Sequence, residues 1–276
     1  MTKSTVSPFR LINRGLVYLA AIALALWILI PIYLIAVAAF SPSEVIYGWP
    51  KSIIPQEIST ETMLFFLNAQ YVLDSVWNSV IVALLTLVLA LLVGAPAGYA
   101  LARYVFRGQD LYRVMLLSTR GFPMVILAIP LTVTFMRLDL YDSLFSVALL
   151  HTAMALPTTI LVTSSVFMGI QGELEEAAMT LGCNHAQAFR RIALPLALPG
   201  LAASAIFTFV LSWNEVFAAT ILTMQNRTLP ARVMVQLRNS PTPFRFAGGF
   251  FILLPAILFM FFIRRYLFNL WGMTIK

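Results

Sequence analysis

The stretch ELEEAAMTLGCNHAQAFRRIALPLALP, residues 173–199, is a long polar passage within an otherwise membrane-like second half of the chain. Three carboxylates, Glu173, Glu175 and Glu176, crowd the first turn of a predicted helix, where the positive end of the helix dipole stabilises negative charge. Gly182 is expected to end that helix, because glycine readily adopts the left-handed conformation that closes helices. The side of the membrane on which this stretch lies orients the rest of the chain.

A second short helix is predicted directly after Gly182. Asn184 can cap it, and Gln187 lies three residues later, in the position that a capping box requires. Pro195 and Pro199 are expected to break the path before the next apolar run begins. The stretch therefore predicts two short helices, joined at a glycine, that lie outside the bilayer and are available to a partner. The alternative is an amphipathic loop helix that rests on lipid head groups.

The composition is that of an integral membrane protein. Of the 276 residues, 61% are hydrophobic and only 11% are charged, whereas soluble domains carry about a quarter charged residues. A helix needs roughly 20 apolar residues to cross the hydrocarbon core, so the length suits one bundle of about six helices. The sequence predicts an all-α polytopic fold, with a cytoplasmic N-terminus at residues 1–15 and a single transmembrane domain at residues 16–276.

Positive charges orient the predicted spans, because Lys and Arg collect on the cytoplasmic side of a membrane. With the N-terminus inside, eleven of the 18 Lys and Arg residues fall in inside segments and six in outside segments. Both termini and residues 173–199 are therefore predicted to be cytoplasmic, in a multi-pass protein of the inner or plasma membrane. The six predicted spans cover residues 16–40, 78–102, 114–136, 144–168, 200–222 and 247–263.

The net charge of +7 does not indicate a nucleic-acid surface, because the basic residues are scattered in short clusters between apolar runs. The loop at residues 225–245 departs from the general pattern, since it carries four arginines on the predicted outer side. It is interpreted either as a surface that meets an acidic partner or as a set of stray arginines.

The sequence contains no recognisable catalytic or metal-binding constellation. Cys183 is the single cysteine, and His151 and His185 are the two histidines, so neither a disulfide nor a metal cluster can be proposed. There is no Walker A loop, and the zinc-protease, dinucleotide-binding and serine-hydrolase motifs are also missing. The chain is predicted to be a non-enzyme that holds no cofactor of its own. His151 is interpreted as a hydrogen-bonded residue at a helix interface rather than a proton relay.

Four residues inside the predicted spans are candidates for a solute path. Arg120 and Glu215 are charged at positions where a charge is costly and usually faces a cavity or a partner. A direct pair between them is possible but poorly matched in depth, and snorkelling or an ion pair with another subunit is the alternative for Arg120. Trp213 and Asn214 combine an aromatic face that can stack on a sugar ring with an amide that can bind hydroxyls. An interfacial aromatic belt is the alternative for Trp213.

The spacing EAA-x3-G-x9-I-x-L-P within residues 173–199 resembles the EAA motif of the membrane subunits of bacterial and archaeal ABC importers. The resemblance implies a type I ABC importer permease (MetI-like) fold and a coupling helix that docks into a groove of a cytoplasmic ATPase. It also implies the partners: a second homologous permease, two ATPase subunits that bind ATP and magnesium, and an extracytoplasmic solute-binding protein. The residues that it assigns to ATPase coupling are Glu175, Glu176, Ala177, Ala178, Gly182, Ile192, Leu194 and Pro195.

Residues 209–217, FVLSWNEVF, and residues 228–230, TLP, resemble the carbohydrate-uptake subfamily of these permeases, in particular its maltose-permease G-type subunits. This likeness implies that the solute is a sugar or a polyol. Two features depart from the subfamily. Carbohydrate members usually carry Asp before the glycine of the EAA loop, whereas this chain has Leu181, which is closer to polyamine-type permeases. The C-terminal tail is also shorter than in those members. An importer of a polyamine or another small polar solute is therefore one alternative, and a stand-alone secondary carrier is the other.

Overall fold

A computed structural model describes residues 8–49, 53–55, 57–236 and 240–270 of the chain. These residues form α-helices joined by short loops and contain no β-strand, which confirms the predicted all-α class for this part of the chain. The helices are α1 (Pro8–Ala39), α2 (Ser43–Tyr47), α3 (Glu61–Asn68), α4 (Val72–Arg103), α5 (Gln109–Thr119), α6 (Met124–Arg137), α7 (Leu144–Met168), α8 (Glu173–Thr180), α9 (His185–Ala188), α10 (Leu194–Asn214), α11 (Phe217–Leu222), α12 (Leu229–Gln236) and α13 (Thr242–Leu270), with a π-helical turn at Phe189–Ala193.

Four helical stretches within the described residues are long and apolar enough to cross a membrane. They are Asn13–Ala39, Val72–Arg103, Leu144–Met168 and His185–Asn214. Two further apolar helices, Ile126–Arg137 and Thr242–Leu258, are shorter. The structure therefore supports a multi-pass membrane protein, and the count of six spans stays a prediction.

The chain groups into two compact units, which are described separately. Unit 1 contains the described parts of Met1–Ala69 and Asn239–Phe251. Its aromatic core is formed around Phe66, whose fully buried ring lies 4.9 Å from the ring of Phe244 and 5.9 Å from that of Phe251, measured between centroids. These ring contacts join α3 to the first turns of α13.

Unit 2 contains the described parts of Gln70–Arg238 and Ile252–Lys276, and its core lies between α4, α7 and α10. Glycines in α4 and α10 allow these helices to approach α7 closely. A Cβ atom added at Gly98 would lie 2.0 Å from the Thr163 hydroxyl, and one added at Gly200 would lie 2.5 Å from the side chain of Val166. The close approach also lets the Thr163 hydroxyl donate a hydrogen bond of 2.9 Å to the Gly94 carbonyl.

The predicted third span at residues 114–136 is wrong as a single helix. Helix α5 ends at Thr119 and α6 begins at Met124, so the path is interrupted between them. Pro123 explains the interruption, because its ring removes one N–H donor and disfavours a helical residue immediately before it. The backbone of Pro123 is extended, with φ −64° and ψ 123°.

The predicted fifth span at residues 200–222 is wrong at both ends. Pro195 and Pro199 do not break the path: a continuous helical stretch runs from His185 to Asn214 through the π-helical turn. The missing N–H of Pro195 falls at the junction where the π-helical turn changes the hydrogen-bond register, and membrane helices tolerate an internal proline such as Pro199. The helix ends at Asn214, and α11 is a separate short helix.

Candidate functional site

The segment between α7 and α10 folds locally as the sequence predicts. Helix α8 carries its three carboxylates in the first turn, and Gly182 follows its end with φ +95°, a left-handed conformation that suits glycine. Asn184 and Gln187 form the expected capping box: each side chain accepts a hydrogen bond of 2.9 Å from the other residue's backbone N–H. The predicted coupling segment covers residues 173–199, and its last six residues belong to α10. Residues 173–192 are hereafter called the coupling segment.

The coupling segment presents one side to the protein and the other to solvent. Glu175 and Ala178 are buried, whereas Glu176 and Ala177 are exposed. Leu181 is the most exposed large apolar side chain of the segment, at 87%. The exposed side of the segment thus combines carboxylates, a small residue and a leucine, which is a surface suited to a protein partner.

The other residues assigned to coupling are Gly182, in the turn after α8, and three residues in the long helical stretch that follows. Gly182 is exposed, and no atom outside its chain neighbours lies within 4 Å of an added Cβ. Ile192 and Leu194 are half-buried, and Pro195 is exposed. The structure therefore places the predicted coupling residues along one continuous stretch, although the role of each stays a prediction.

Arg103, the last residue of α4, holds the coupling segment through the buried carboxylate of Glu175. Its Nε donates a hydrogen bond of 2.8 Å to Glu175 Oε1, and its Nη2 lies 2.7 Å from the same oxygen. Nη2 also donates to the Ile170 carbonyl at 2.9 Å. The Tyr99 hydroxyl donates to the second carboxylate oxygen, Glu175 Oε2. We call Tyr99, Arg103 and Glu175 the carboxylate clamp.

Aromatic rings pack beside the carboxylate clamp and tie the coupling segment to α7 as well. The Tyr99 ring centroid lies 5.3 Å from that of Phe167 and 4.6 Å from that of Phe189, and the rings of Phe167 and Phe189 are 5.9 Å apart. Phe167 is fully buried. Residues near both ends of the coupling segment are therefore in contact with the long apolar helices α4 and α7.

Sequence reasoning missed Tyr99 and Arg103. The sequence contained one indication of them: the two residues are four positions apart at the end of an apolar run, so they share a helix face. It contained no indication of their partner, because Glu175 lies 72 residues beyond Arg103. The resemblance assigns both Glu175 and Glu176 to contact with the ATPase. Only Glu176 is exposed in the structure, whereas Glu175 is buried against Arg103 and Tyr99.

Glu215 and His151 form a second polar cluster in unit 2, and Arg120 does not belong to it. Glu215 Oε2 lies 3.1 Å from His151 Nε2, and the Nδ1 atom of the same fully buried ring lies 2.8 Å from the Ser212 hydroxyl. The Ser212 hydroxyl is in turn 3.3 Å from the hydroxyl of Thr86. His151 thus forms hydrogen bonds between helices, as predicted from the sequence.

The carboxylate of Glu215 also begins α11. It accepts backbone N–H hydrogen bonds from Ala218 at 2.9 Å and from Ala219 at 3.1 Å, which satisfies two of the donors that a helix start leaves unpaired. Glu215 therefore joins the end of α10, the start of α11 and the first half of α7. Its position gives a structural reason for the carboxylate, and its proposed contact with solute stays a prediction.

Glu215→Ala is expected to destabilise the protein, because it leaves the buried His151 ring and two helix N–H groups without their acceptor. Lost acceptors of this kind cost about 1–3 kcal/mol each. Glu215→Gln keeps one acceptor oxygen and is expected to cost clearly less. Thermal unfolding of the purified protein in detergent measures the stability of both variants.

Asn214→Ala is the control, because the exposed Asn214 amide makes its hydrogen bond only within its own helix, to the Val210 carbonyl. Equal midpoints for Glu215→Ala and Asn214→Ala would contradict this prediction.

The other candidates for the solute path lie in different surroundings. Trp213 is buried, its indole N–H donates to the Ile252 carbonyl at 3.0 Å, and its ring stacks on Phe209 with 6.0 Å between centroids. The ring is therefore not open to a sugar in this conformation. Arg120 is exposed and lies in the break between α5 and α6, and it forms no ion pair with Glu215.

The loop after α11 is held from within the chain. The Asp142 carboxylate accepts N–H hydrogen bonds from Met224, Gln225 and Asn226 at 2.9–3.1 Å. Arg232 is buried and donates to the Gln225 carbonyl at 2.6 Å. Burial lowers the pKa of Arg232, and the positive charge of the neighbouring Arg227 lowers it further. Arg232 is thus committed to internal contacts rather than to an acidic partner.

Comparison with known families identifies the chain. Residues 90–270 match the family described as "Binding-protein-dependent transport system inner membrane component". The chain belongs to this family. It is consequently a transport component of an ABC importer and not an enzyme, and the coupling segment lies inside the matched region.

Individual relatives agree with the family. The chain is 31% identical to the diacetylchitobiose uptake system permease protein DasC of Streptomyces coelicolor, over 76% of this chain and 77% of that protein. It is 30% identical to the trehalose transport system permease protein SugB of Mycobacterium tuberculosis, over 86% and 88%. A crystal structure of a bacterial ABC transporter that imports the acidic polysaccharide alginate has a chain with the same fold: TM-score 0.75, 22% identity, covering 96% of this chain and 99% of that one.

Proposed function

We propose that this chain is one of two permease subunits of an ATP-driven importer and that it translocates a sugar or polyol delivered by an extracytoplasmic solute-binding protein. The observation that carries the proposal is the coupling segment, which is fixed to α4 by the carboxylate clamp, packs on α7 through the rings of Phe189 and Phe167, and exposes its other side. The names of DasC and SugB support a sugar as solute. Leu181, which departs from the carbohydrate pattern, keeps a polyamine as the second candidate.

The proposed arrangement in the membrane has six spans with both termini in the cytoplasm. Four helices of sufficient length support it, together with the shorter apolar helices in α6 and α13. The distribution of Lys and Arg supports the orientation. The most apolar window of Asn13–Ala39 has no buried residue, so α1 is available to lipid or to the second permease.

In the proposed mechanism, two cytoplasmic ATPases bind ATP and magnesium, close on each other and displace the coupling segment. The carboxylate clamp passes this displacement to α4, and the π-helical turn passes it to α10. The spans then change between an inward-open and an outward-open arrangement. Transport follows because the ATP-bound and ATP-free ATPases stabilise different arrangements, and not because this chain performs chemistry.

Gly182→Arg is expected to abolish co-purification of the ATPase with the tagged chain from its native membrane. The substitution places a long cation on the exposed side of the coupling segment, in a left-handed conformation that only glycine adopts readily. Gly108→Arg is the matched control, since Gly108 also has a left-handed backbone, at φ +91°, and open space around it, but lies between α4 and α5. Mass spectrometry of the recovered proteins measures the outcome.

The result decides between the proposed importer and its alternatives. Recovery of an ATPase and a second permease with the unmodified chain and with Gly108→Arg, but not with Gly182→Arg, supports the coupling role. Recovery of the chain alone in all three samples would contradict it and would favour a stand-alone secondary carrier. The solute-binding protein that is encoded with the recovered subunits then separates a sugar from a polyamine in a direct binding assay.

A further inference from the structure

The break between α5 and α6 places a cation within a predicted span. Helix α5 has 11 residues and α6 has 14, which correspond to roughly 16 Å and 21 Å of helix, so the break lies near the middle of their combined length. Arg120 follows the last residue of α5. Its guanidinium makes no hydrogen bond or ion pair with any residue that the structure describes. A charge at such a position is costly unless it faces a cavity or a partner.

Arg120 borders a cavity of about 310 Å³ that lies within unit 2. This volume is at the lower end of the range of about 300–1,000 Å³ for small-molecule sites and suits a single sugar unit. None of the described residues that line the cavity is acidic. Besides Arg120, its walls include the largely apolar side chains of Met124, Leu150, Met154, Pro157 and Leu211.

The described wall beside Arg120 holds no carboxylate that could pair with its donors. The Thr119 hydroxyl also borders the cavity, but it donates a hydrogen bond of 2.7 Å to the Leu116 carbonyl and makes no hydrogen bond with Arg120. A guanidinium presents five N–H donors in a planar fork and pairs best with a carboxylate, through two parallel hydrogen bonds. Apolar walls strengthen such a pair by excluding water.

We propose that this cavity binds the carboxylate of an anionic solute, a sugar acid, and that Arg120 is its recognition residue. The inference rests on the proposed function and deepens it by naming the class of sugar. A polyamine would be repelled by the positive charge of Arg120, so the inference also excludes the second candidate solute. The competing explanation is a carboxylate of the second permease that neutralises Arg120 in the assembled importer.

Charge-selective labelling tests the cavity in the assembled importer, purified with its ATPases. A thiol is introduced by Ala153→Cys, at an exposed residue of the cavity wall, in a Cys183→Ala background. The anionic sulfonatoethyl and the cationic trimethylammonioethyl methanethiosulfonates are compared. With Arg120 present, the anionic reagent is expected to react faster, and Arg120→Gln should lower the anionic-to-cationic rate ratio on the order of tenfold.

Two results of this experiment would overturn the inference. A rate ratio that Arg120→Gln leaves unchanged would mean that another group already neutralises the charge. A thiol that reacts with neither reagent would mean that the cavity is closed to water. Failure of the proposed function is distinguishable from both, because the ATPase would then be missing from the purified sample before labelling begins.

Protection by a sugar acid tests the class of solute. Glucuronate is expected to slow labelling of the thiol at Ala153→Cys by the uncharged methyl methanethiosulfonate, whereas glucose is not. The protection should vanish with Arg120→Gln and persist, more weakly, with Arg120→Lys, which keeps the charge but loses the planar fork. Equal protection by glucose and glucuronate, or protection that survives Arg120→Gln, would contradict recognition of a carboxylate.

Discussion

Arg103→Met is expected to abolish ATP-driven uptake, while Arg107→Met leaves uptake near the unmodified level. Arg103 is largely buried, with 17% of its side chain exposed, and removing it leaves the Glu175 carboxylate, 6% exposed, without its cation. Breaking one side of a buried ion pair costs about 3–5 kcal/mol. Arg107 lies four residues further on, is exposed and is therefore a control for the loss of a positive charge at the same end of α4.

Two further variants distinguish transmission of movement from simple destabilisation. Glu175→Gln keeps the shape of the side chain and one acceptor oxygen for Arg103, but it removes the negative charge and replaces the acceptor of the Tyr99 hydroxyl with an NH2 group. We therefore expect a smaller loss of uptake than with Arg103→Met. The double variant Arg103→Met/Glu175→Leu removes both buried charges and is expected to regain the thermal stability of the unmodified protein. Its uptake should stay low, because no polar contact then joins α4 to the coupling segment.

The measurements are ATP-dependent uptake into proteoliposomes, thermal unfolding, and co-purification of the ATPase. Uptake that recovers together with stability in the double variant would show that the carboxylate clamp only holds the fold. Normal uptake by Arg103→Met would show that the coupling segment does not act through α4. Arg107→Met must behave as the unmodified chain for either conclusion to be drawn.

Gly98→Ala is expected to prevent α4 and α7 from packing and to lower the yield of folded protein severely. The added Cβ would lie 2.7 Å from the Ser164 backbone nitrogen and 2.9 Å from the Ile160 carbonyl oxygen, in addition to its 2.0 Å contact with Thr163. Backbone atoms cannot rotate out of the way, so the helices must separate. Overpacking of a core costs about 1–3 kcal/mol and more where the backbone must shift.

The neighbouring glycine provides a matched test, because its obstacle is a side chain. A Cβ at Gly94 would meet the Cγ2 atom of Thr159 at 2.6 Å. Thr159→Ser removes that methyl group and is expected to restore most of the stability lost in Gly94→Ala. Thr163→Ser is not expected to rescue Gly98→Ala, since it leaves the backbone contacts in place. Thermal unfolding and size-exclusion chromatography measure both pairs, and rescue of Gly98→Ala would contradict the packing described here.

Features that depend on neighbours in the chain could be predicted from the sequence. The left-handed Gly182 and the capping box of Asn184 and Gln187 each involve residues within three positions, and both are found as predicted. Contacts between residues that are far apart in the chain could not be predicted, because a single sequence does not show which distant residues lie next to each other in the fold. The contacts of Arg103 with Glu175 and of His151 with Glu215 are of this second kind.

The two span predictions that the structure corrects both involve prolines, and in opposite directions. Pro195 and Pro199 would end a surface helix, but the π-helical turn and the surrounding helices accommodate them. Pro123 does interrupt its helix, while Pro130 lies inside α6. The positions of the prolines in the sequence do not show which of them interrupt a helix. A helix continues through a proline where the backbone carbonyl that loses its N–H donor can accept a hydrogen bond from another group.

Residues 185–214 form one continuous helical stretch that could move as a rigid rod. Thirty residues of nearly unbroken helix form a rod of about 45 Å, with the capping box at one tip and Asn214 at the other. If the rod pivots at its base, a tilt of about 10° moves the far tip sideways by about 8 Å over that length. The π-helical turn stands close to the base, where one surplus residue per turn can be taken up or released as the rod swings. If this helix crosses the membrane as proposed, a small tilt at its base becomes a displacement of several ångströms at its far end.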